Sequence, residues 1–199
     1  MIYLDNAATT RVSEVAAQAA LTAMTGGFGN PSSRHKAGSE AAKALSDHRK
    51  TIADALGAKP DEVYFTSCGT ESDNWAIRGA AWLGRRRGKH IITTAIEHHA
   101  VLNCMHELEA QGYEVTYLQP DALGNISAES LQSALRKDTI LVSVMMVNNE
   151  TGAVLPISQM AKLTHKNNPD TVFHTDAVQG FLKVPFAAKT LGADLISVS

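Results

Sequence analysis

The sequence Thr66-Ser67-Cys68-Gly69-Thr70-Glu71-Ser72-Asp73-Asn74 decides how this chain folds around its binding site. It follows a strand-like apolar run at residues 62–65 and opens a helical pattern that continues to Gly84. A turn of small residues between a strand and a helix directs several backbone N–H groups and hydroxyls at one point, with the positive end of the helix dipole behind them. The stretch therefore predicts either a phosphate-binding turn or a simple helix cap, and the remaining sequence must distinguish the two.

The composition is typical of a globular protein with a sizeable hydrophobic core. The chain has 199 residues, 44% of them hydrophobic and 19% charged, which suits one domain with a short arm. A formal net charge of −2 and a pI of about 6.4 argue against nucleic acid or an acidic membrane surface as main partner. The sequence has no targeting layout at its N-terminus, no run near the ~20 apolar residues of a membrane span and no cysteine spacing of a zinc site or disulfide framework. We therefore expect a cytoplasmic protein without a metal, nucleic-acid or membrane partner.

Helical and strand-like patterns alternate along most of the chain. Ser13 is a candidate N-cap of the first helix, and Gly57 is a candidate C-terminal glycine of the second. The predicted strands are apolar on both faces, which indicates a mainly parallel sheet covered by helices in a three-layer α/β fold. We predict an N-terminal arm at residues 1–12 and a large domain at residues 13–199. The predicted helices span residues 13–24, 39–56, 71–84, 99–111, 128–135, 157–166 and 186–191, and the predicted strands span 63–65, 91–94, 115–118, 140–146, 172–174 and 195–198.

Four polar clusters directly follow predicted strands. Parallel α/β sheets bind ligands at the carboxyl ends of their strands, so the four clusters are expected to meet in one pocket. This convergence favours the phosphate-binding interpretation of the opening stretch. The clusters are Thr66 to Thr70, Glu97-His98-His99, Asn148-Asn149-Glu150, and His174-Thr175-Asp176 with Gln179.

The residue types in these clusters suit pyridoxal 5′-phosphate (PLP). A carboxylate such as Asp176 can accept a charge-assisted hydrogen bond from a pyridinium N–H, which lets the ring act as an electron sink. The His98 imidazole can stack on such a ring and move protons near neutral pH. The amides of Asn149 and Gln179 can donate to a ring hydroxyl. Phosphate, ring nitrogen and ring hydroxyl together describe PLP.

The chain resembles the cysteine desulfurases, which belong to the class V aminotransferase group of fold-type I PLP enzymes. The resemblance runs from one end of the sequence to the other and rests on six motifs. They are Tyr3-Leu4-Asp5-Asn6-Ala7-Ala8-Thr9-Thr10, Gly29-Asn30-Pro31-Ser32-Ser33, Phe65-Thr66-Ser67 with Gly69-Thr70-Glu71, Glu97-His98 with Ala100-Val101-Leu102, Val147-Asn148-Asn149-Glu150-Thr151-Gly152, and His174-Thr175-Asp176-Ala177-Val178-Gln179.

The resemblance implies a role for individual residues around the cofactor phosphate. Gly69 and Thr70 match the positions that hold the phosphate in the family. Ser199 matches the serine that gives its hydroxyl to the phosphate from the far side.

Four further positions match residues that contact the cofactor ring in the family. His98 is implied to stack on the pyridine ring and to act as the acid/base group. Asp176 is implied to bind the ring nitrogen, and Gln179 the ring hydroxyl. Asn149 is implied to contact the cofactor or the substrate carboxylate.

The resemblance also implies an activity and partners. The family converts L-cysteine to L-alanine and passes the sulfur to a protein persulfide, which supplies iron–sulfur cluster or thiolation pathways through a sulfur-acceptor protein. A homodimer is implied as well. Within the group, selenocysteine lyase or another class V enzyme is the runner-up. Outside the group, two functions stay open: a metal-dependent hydrolase built from Glu97-His98-His99 and His174-x-Asp176, and a non-catalytic half-protein.

One departure from the family pattern concerns the end of the sequence. In the family, the strand that corresponds to residues 195–199 runs directly into Gly-His-Lys, and that lysine binds the cofactor covalently. The sequence ends at Ser199, and neither Cys68 nor Cys104 falls where the family has its sulfur-accepting cysteine. We therefore expect a truncated large domain, corresponding to the N-terminal half of such an enzyme, that is inactive by itself.

Overall fold

Five parallel strands form one sheet in the structure, which is a computed structural model describing residues 2–199. The chain divides into two compact units, the first ending at Tyr64 and the second spanning residues 65–199. All five strands lie in the second unit, in the order β2-β1-β3-β4-β5. None of the helices in the described residues combines the length and apolar character needed to cross a membrane.

The first unit consists of helices with clear end signals. The Ser13 side chain caps α1 by accepting a hydrogen bond from the Ala16 N–H, and Gly57 closes α2 in the left-handed conformation at φ 67°. Both predicted helix ends are thus confirmed. The elements are α1 (Glu14–Gly26), α2 (Lys36–Leu56) and a short 3-10 helix (Pro60–Glu62).

The second unit alternates helices and strands, as predicted. Each strand after β1 is reached through a helix, which is the connection that parallel neighbours require. The elements are α3 (Gly69–Gly84), β1 (His90–Thr94), α4 (His99–Ala110), β2 (Glu114–Leu118), α5 (Ala128–Ala134), β3 (Thr139–Ser143), α6 (Ile157–Asn167), β4 (Val172–Asp176), α7 (Ala188–Leu191) and β5 (Leu195–Ser197).

The inner strands of the sheet are buried on both faces, whereas the edge strands are partly exposed. Every residue of β1 and β3 is buried, and β2 and β5 form the two edges. Ile92, Val142 and Phe173 belong to one apolar cluster that includes residues of α5 and α6. The preceding residues Ile91 and Leu141 belong to a second cluster, with residues of α3 and α4. Successive side chains of a strand point to opposite faces, and each face is therefore covered by its own pair of helices. The predicted three-layer α/β fold with a parallel sheet is confirmed.

The strand predicted at residues 63–65 is wrong. None of the five strands of the described chain pairs with this run, and Tyr64 and Phe65 are 71% and 46% exposed. The Val63 carbonyl instead accepts a hydrogen bond from the Arg49 side chain. Strand propensity depends on a neighbouring strand to pair with, and three apolar residues after a 3-10 helix do not supply one. The opening stretch therefore follows a loop rather than a strand.

Candidate functional site

A cavity of about 190 Å³ lies where β3, β4 and β5 end and α3 begins. Its walls come entirely from the second unit. All seven residues that the sequence predicts as site residues line it: Gly69, Thr70, His98, Asn149, Asp176, Gln179 and Ser199. The remaining lining residues are Asp73, Met145, Val147 and Val178.

The N-terminus of α3 forms one end of the cavity and has no side-chain cap. Cys68 occupies the N-cap position without a capping hydrogen bond from its side chain, so the first-turn N–H groups remain available to a ligand. A Cβ at Gly69 would lie 3.1 Å from Val178 Cγ2 and 3.6 Å from Ser199 Cβ, which leaves little room for a side chain there. An uncapped helix start beside a narrow opening favours anion binding over the simple cap.

His98 is the N-cap residue of α4, and this fixes its tautomer. Its Nδ1 accepts a hydrogen bond from the Ala100 N–H at 3.2 Å. When the ring is neutral, its proton therefore lies on Nε2. The ring is exposed and borders the cavity, so Nε2 is the atom that can exchange a proton with a bound molecule.

The two asparagines after β3 have different roles. Asn148 is buried, and its Oδ1 accepts hydrogen bonds from the N–H groups of Glu150 and Thr151 at 3.0 and 2.8 Å, while its Nδ2 donates to the Ile96 carbonyl at 2.9 Å. These bonds hold the turn that brings the neighbouring Asn149 to the cavity. Glu150, the third member of the predicted cluster, is exposed and does not line the cavity.

Asp176 is the last residue of β4, whereas the sequence places it after the strand. The strand is longer than predicted because residues 174–176 pair with residues 195–197 of β5. The Asp176 carboxyl is 7% exposed, and its Oδ1 accepts a hydrogen bond from the Val178 N–H at 2.9 Å, which leaves the other oxygen for a ligand. Burial raises its pKa, and the Val178 N–H and His98 oppose that rise.

Gln179 and Ser199 complete the polar part of the wall. The Gln179 side chain is held by a hydrogen bond from Lys183 Nζ to its Oε1 at 2.7 Å, which orients the amide. Ser199 follows β5, and its Cβ lies 3.6 Å from the position that a Gly69 Cβ would take.

A family model described as "Aminotransferase class-V" matches residues 2–199. The chain belongs to the class-V aminotransferase family. Its relatives include the cysteine desulfurase IscS of Methanosarcina thermophila, which is 50% identical over 100% of this chain and 48% of its own length. A putative cysteine desulfurase IscS 1 of Bacillus subtilis is 47% identical over 100% of this chain and 52% of its own.

Two solved structures superimpose closely on this chain. A NifS-like protein matches with a TM-score of 0.94 at 39% identity, over 100% of this chain and 54% of its own. SspA, solved in complex with cysteine, matches with a TM-score of 0.91 at 39% identity, over 99% of this chain and 56% of its own. This class-V chain thus spans about half the length of the relatives it matches.

PLP is the cofactor of this class-V group, and the cavity fits it chemically. The uncapped N-terminus of α3 and the Ser199 hydroxyl suit a phosphate, and the small Gly69 permits its close approach. The open oxygen of Asp176 suits a protonated ring nitrogen. Within residues 2–199, no group of three or more His, Cys, Asp or Glu side chains is arranged to hold a metal ion, so a metal-dependent hydrolase gains no support from the structure.

Two buried acids lie in or beside the site of this class-V chain. The sequence assigns Asp73 no role, and it places Glu97 in a polar cluster and in the alternative hydrolase site. Asp73 lines the cavity and is 1% exposed. Glu97 is 5% exposed, and its Oε1 accepts hydrogen bonds from Thr94 Oγ1 and the Met145 N–H, both at 2.8 Å. These two hydrogen bonds hold the segment before His98 in place. Burial raises the pKa of Glu97 to about 8, so the carboxyl is neutral at pH 7. In the sequence, Asp73 lies four residues before Ile77 and seven before Ala80, which are buried residues of α3. This helical spacing indicates that Asp73 lies on the buried face of the helix.

His174 is a buried structural histidine. It is fully buried, with Nδ1 2.9 Å from Ser143 Oγ and Nε2 3.0 Å from Ser197 Oγ. Burial lowers its pKa to about 4, so the ring is neutral at physiological pH. His174 does not line the cavity. Its contacts with Ser143 and Ser197 support the strands that end at the cavity.

Proposed function

We propose that the full-length protein is a PLP-dependent cysteine desulfurase that converts L-cysteine to L-alanine and passes the sulfur to a protein thiol as a persulfide. The observation that carries the proposal is a cavity that brings the uncapped start of α3 and the Asp176 carboxyl together with His98. The names of the relatives support the choice of reaction, and the cysteine bound to SspA supports the choice of substrate.

The proposed work of the chain is to bind and orient the cofactor. The first-turn N–H groups of α3, at Gly69 and Thr70, and the Ser199 hydroxyl bind the phosphate with the help of the helix dipole. The Asp176 carboxylate accepts the ring N–H, and the amide of Gln179 donates to the ring hydroxyl. When bound, PLP supplies an electron sink that stabilises negative charge at the substrate α-carbon.

His98 and Asn149 are proposed to act on the substrate side of the ring. The Nδ1 of His98 is engaged by the Ala100 N–H, which leaves Nε2 to take up or deliver a proton at the ring face. Asn149 contacts the cofactor or the substrate carboxylate from the turn that Asn148 holds. A cysteine thiol of the full-length protein receives the sulfur. We further propose a cytoplasmic homodimer that delivers the sulfur to an acceptor protein for iron–sulfur cluster assembly or thiolation.

The reaction is tested by measuring alanine release from L-cysteine, with sulfide measured in the presence of a thiol reductant. Wild-type full-length protein with PLP is expected to form alanine and sulfide in equal amounts. His98→Ala is expected to slow alanine release by roughly 100- to 10,000-fold, because it removes the proton-transfer group. The matched control is His99→Ala, since His99 is exposed, adjacent in sequence and absent from the cavity wall.

Two results would contradict the proposal. One is a PLP-loaded protein that releases no alanine from cysteine. The other is an equal loss in His98→Ala and His99→Ala, which would remove the assigned role of His98. Alanine release from selenocysteine with none from cysteine would instead identify a selenocysteine lyase.

A further inference from the structure

Asp73 is a buried carboxyl in the cavity wall that the proposed function does not use. It lies on α3, one helical turn after Gly69, and is 1% exposed. Its Oδ1 is buried and has no hydrogen-bond partner. An unsatisfied carboxylate oxygen is costly in the interior, so its retention beside a ligand cavity calls for an explanation.

The surroundings of Asp73 contain neutral groups rather than a counter-ion. The nearest basic atom is His174 Nε2 at 3.6 Å, beyond hydrogen-bond distance, and that histidine is neutral because burial lowers its pKa to about 4. Ser72 Oγ donates to Ser197 Oγ at 2.9 Å, and Ser197 Oγ lies 3.0 Å from the same Nε2. In the described part of the chain, no lysine or arginine forms an ion pair with Asp73 within 4.0 Å.

A second buried carboxyl, Asp176, lines the same cavity and is 7% exposed. Two buried carboxylates that line one cavity cannot both ionise without a large electrostatic cost. Burial first and the Asp176 charge second raise the pKa of Asp73 to about 7, while a hydrogen bond from Ser197 opposes the rise. Asp73 is therefore largely protonated below pH 7 in the cofactor-free protein.

Among the other titratable groups around the pair, Glu97 and Cys104 are uncharged at pH 7, whereas His98 favours the ionised form of Asp176. Glu97 is a neutral acid at pH 7, since burial raises its pKa to about 8. Burial likewise raises the pKa of the Cys104 thiol to about 11. His98 borders the cavity and lowers the pKa of Asp176, whereas it is not among the groups that shift the pKa of Asp73. The groups facing the pair are His174 on β4, Glu97 after β1, and His98 and Cys104 at the start and in the middle of α4.

We propose that Asp73 and Asp176 form a carboxyl pair that holds one proton in common, and that Asp73 is thereby a positioning residue for the ring nitrogen of the cofactor. In the cofactor-free protein, with the proton on Asp73, the pair carries one negative charge, on Asp176. The positive charge of a bound pyridinium favours ionisation of Asp73 as well. Asp73 does not contact the reacting atoms of the substrate or the cofactor. It influences the charge of Asp176, the carboxyl that contacts the ring nitrogen. The positioning role of Asp73 toward the cofactor rests on the proposed function, whereas the shared proton does not.

The shared proton is tested in cofactor-free protein, by urea unfolding of the wild type and Asp73→Asn between pH 5 and pH 8. The native pKa of Asp73 exceeds the unfolded value, so the native state binds the extra proton and wild-type stability is lost as pH rises towards 7. Asp73→Asn removes this loss. The ratio of the unfolding equilibrium constants of wild type and variant is therefore expected to rise roughly 10- to 100-fold from pH 5 to pH 8.

Two further variants make the result specific. Asp176→Asn is expected to reduce the pH dependence without abolishing it, because it removes the Asp176 charge but leaves Asp73 buried. This variant provides the test if Asp73→Asn does not fold. Asp170→Asn, at an exposed carboxyl, is expected to leave the wild-type pH dependence in place. A pH dependence in both pair variants equal to that of the wild type would overturn the shared proton, whatever the affinity for PLP.

The link to the cofactor is tested by calorimetric titration of PLP at pH 7 in two buffers of different ionisation enthalpy. A pyridinium near the pair favours loss of the Asp73 proton, so wild type is expected to release more protons on binding than Asp73→Asn. Equal proton release in the two proteins would overturn the positioning role. Failure of both proteins to bind PLP would contradict the proposed function, and the unfolding measurement would still decide the shared proton.

Discussion

Asp176→Asn is expected to weaken PLP binding to the full-length protein by roughly 10- to 100-fold, the value of a hydrogen bond to a charged group. Asparagine keeps an oxygen that can accept the Val178 N–H, so the local backbone is preserved while the charge is lost. The same substitution is expected to raise the stability of the cofactor-free protein at pH 8, because burial disfavours the Asp176 carboxylate. Equilibrium titration with PLP and urea unfolding measure the two effects.

The opposite signs of these two effects separate a binding role from a structural one. Loss of a merely structural acid would lower stability and affinity together. Asp170→Asn serves as the control, since its side chain is 71% exposed and lies outside the cavity. Unchanged PLP affinity in Asp176→Asn would contradict the role proposed for this carboxyl.

Phe173→Ala is expected to lower the free energy of unfolding by about 3–5 kcal/mol. Phe173 is fully buried on β4, in the cluster that joins the sheet to α5 and α6. Its truncation leaves a cavity three residues from Asp176, so a fall in PLP affinity is expected along with the loss of stability. Urea unfolding of the cofactor-free protein measures the first effect.

The control for this core substitution is Leu123→Ala in the same unit. Leu123 is 79% exposed, so its truncation is expected to change the unfolding free energy by less than about 0.5 kcal/mol. A loss below about 1 kcal/mol in Phe173→Ala would show that the apolar cluster does not carry the stability of the sheet.

The features that sequence predicted well depend on local chemistry. A serine can cap a helix and a glycine can take φ 67° wherever the fold places them, so the ends of α1 and α2 were predictable from Ser13 and Gly57. The seven cavity residues were predictable because parallel strands direct their carboxyl ends to one edge, and because family motifs mark the individual positions.

The features that sequence missed depend on partners distant along the chain. Residues 63–65 have strand propensity and no neighbouring strand. Asn148 and Asn149 are chemically identical in the sequence, and only the turn shows that one holds the backbone while the other reaches the cavity. Asp73 resembles a polar helix residue until its burial beside Asp176 is known.

The position of PLP in a crystal structure of the full-length protein tests the central claim most directly. The phosphate is predicted to accept hydrogen bonds from the first-turn N–H groups of α3, at Gly69 and Thr70. The ring nitrogen is predicted to lie about 2.7–2.9 Å from an Asp176 carboxylate oxygen, with the His98 ring against the pyridine face. PLP bound outside this cavity, or bound with its phosphate at Asp176, would contradict the account.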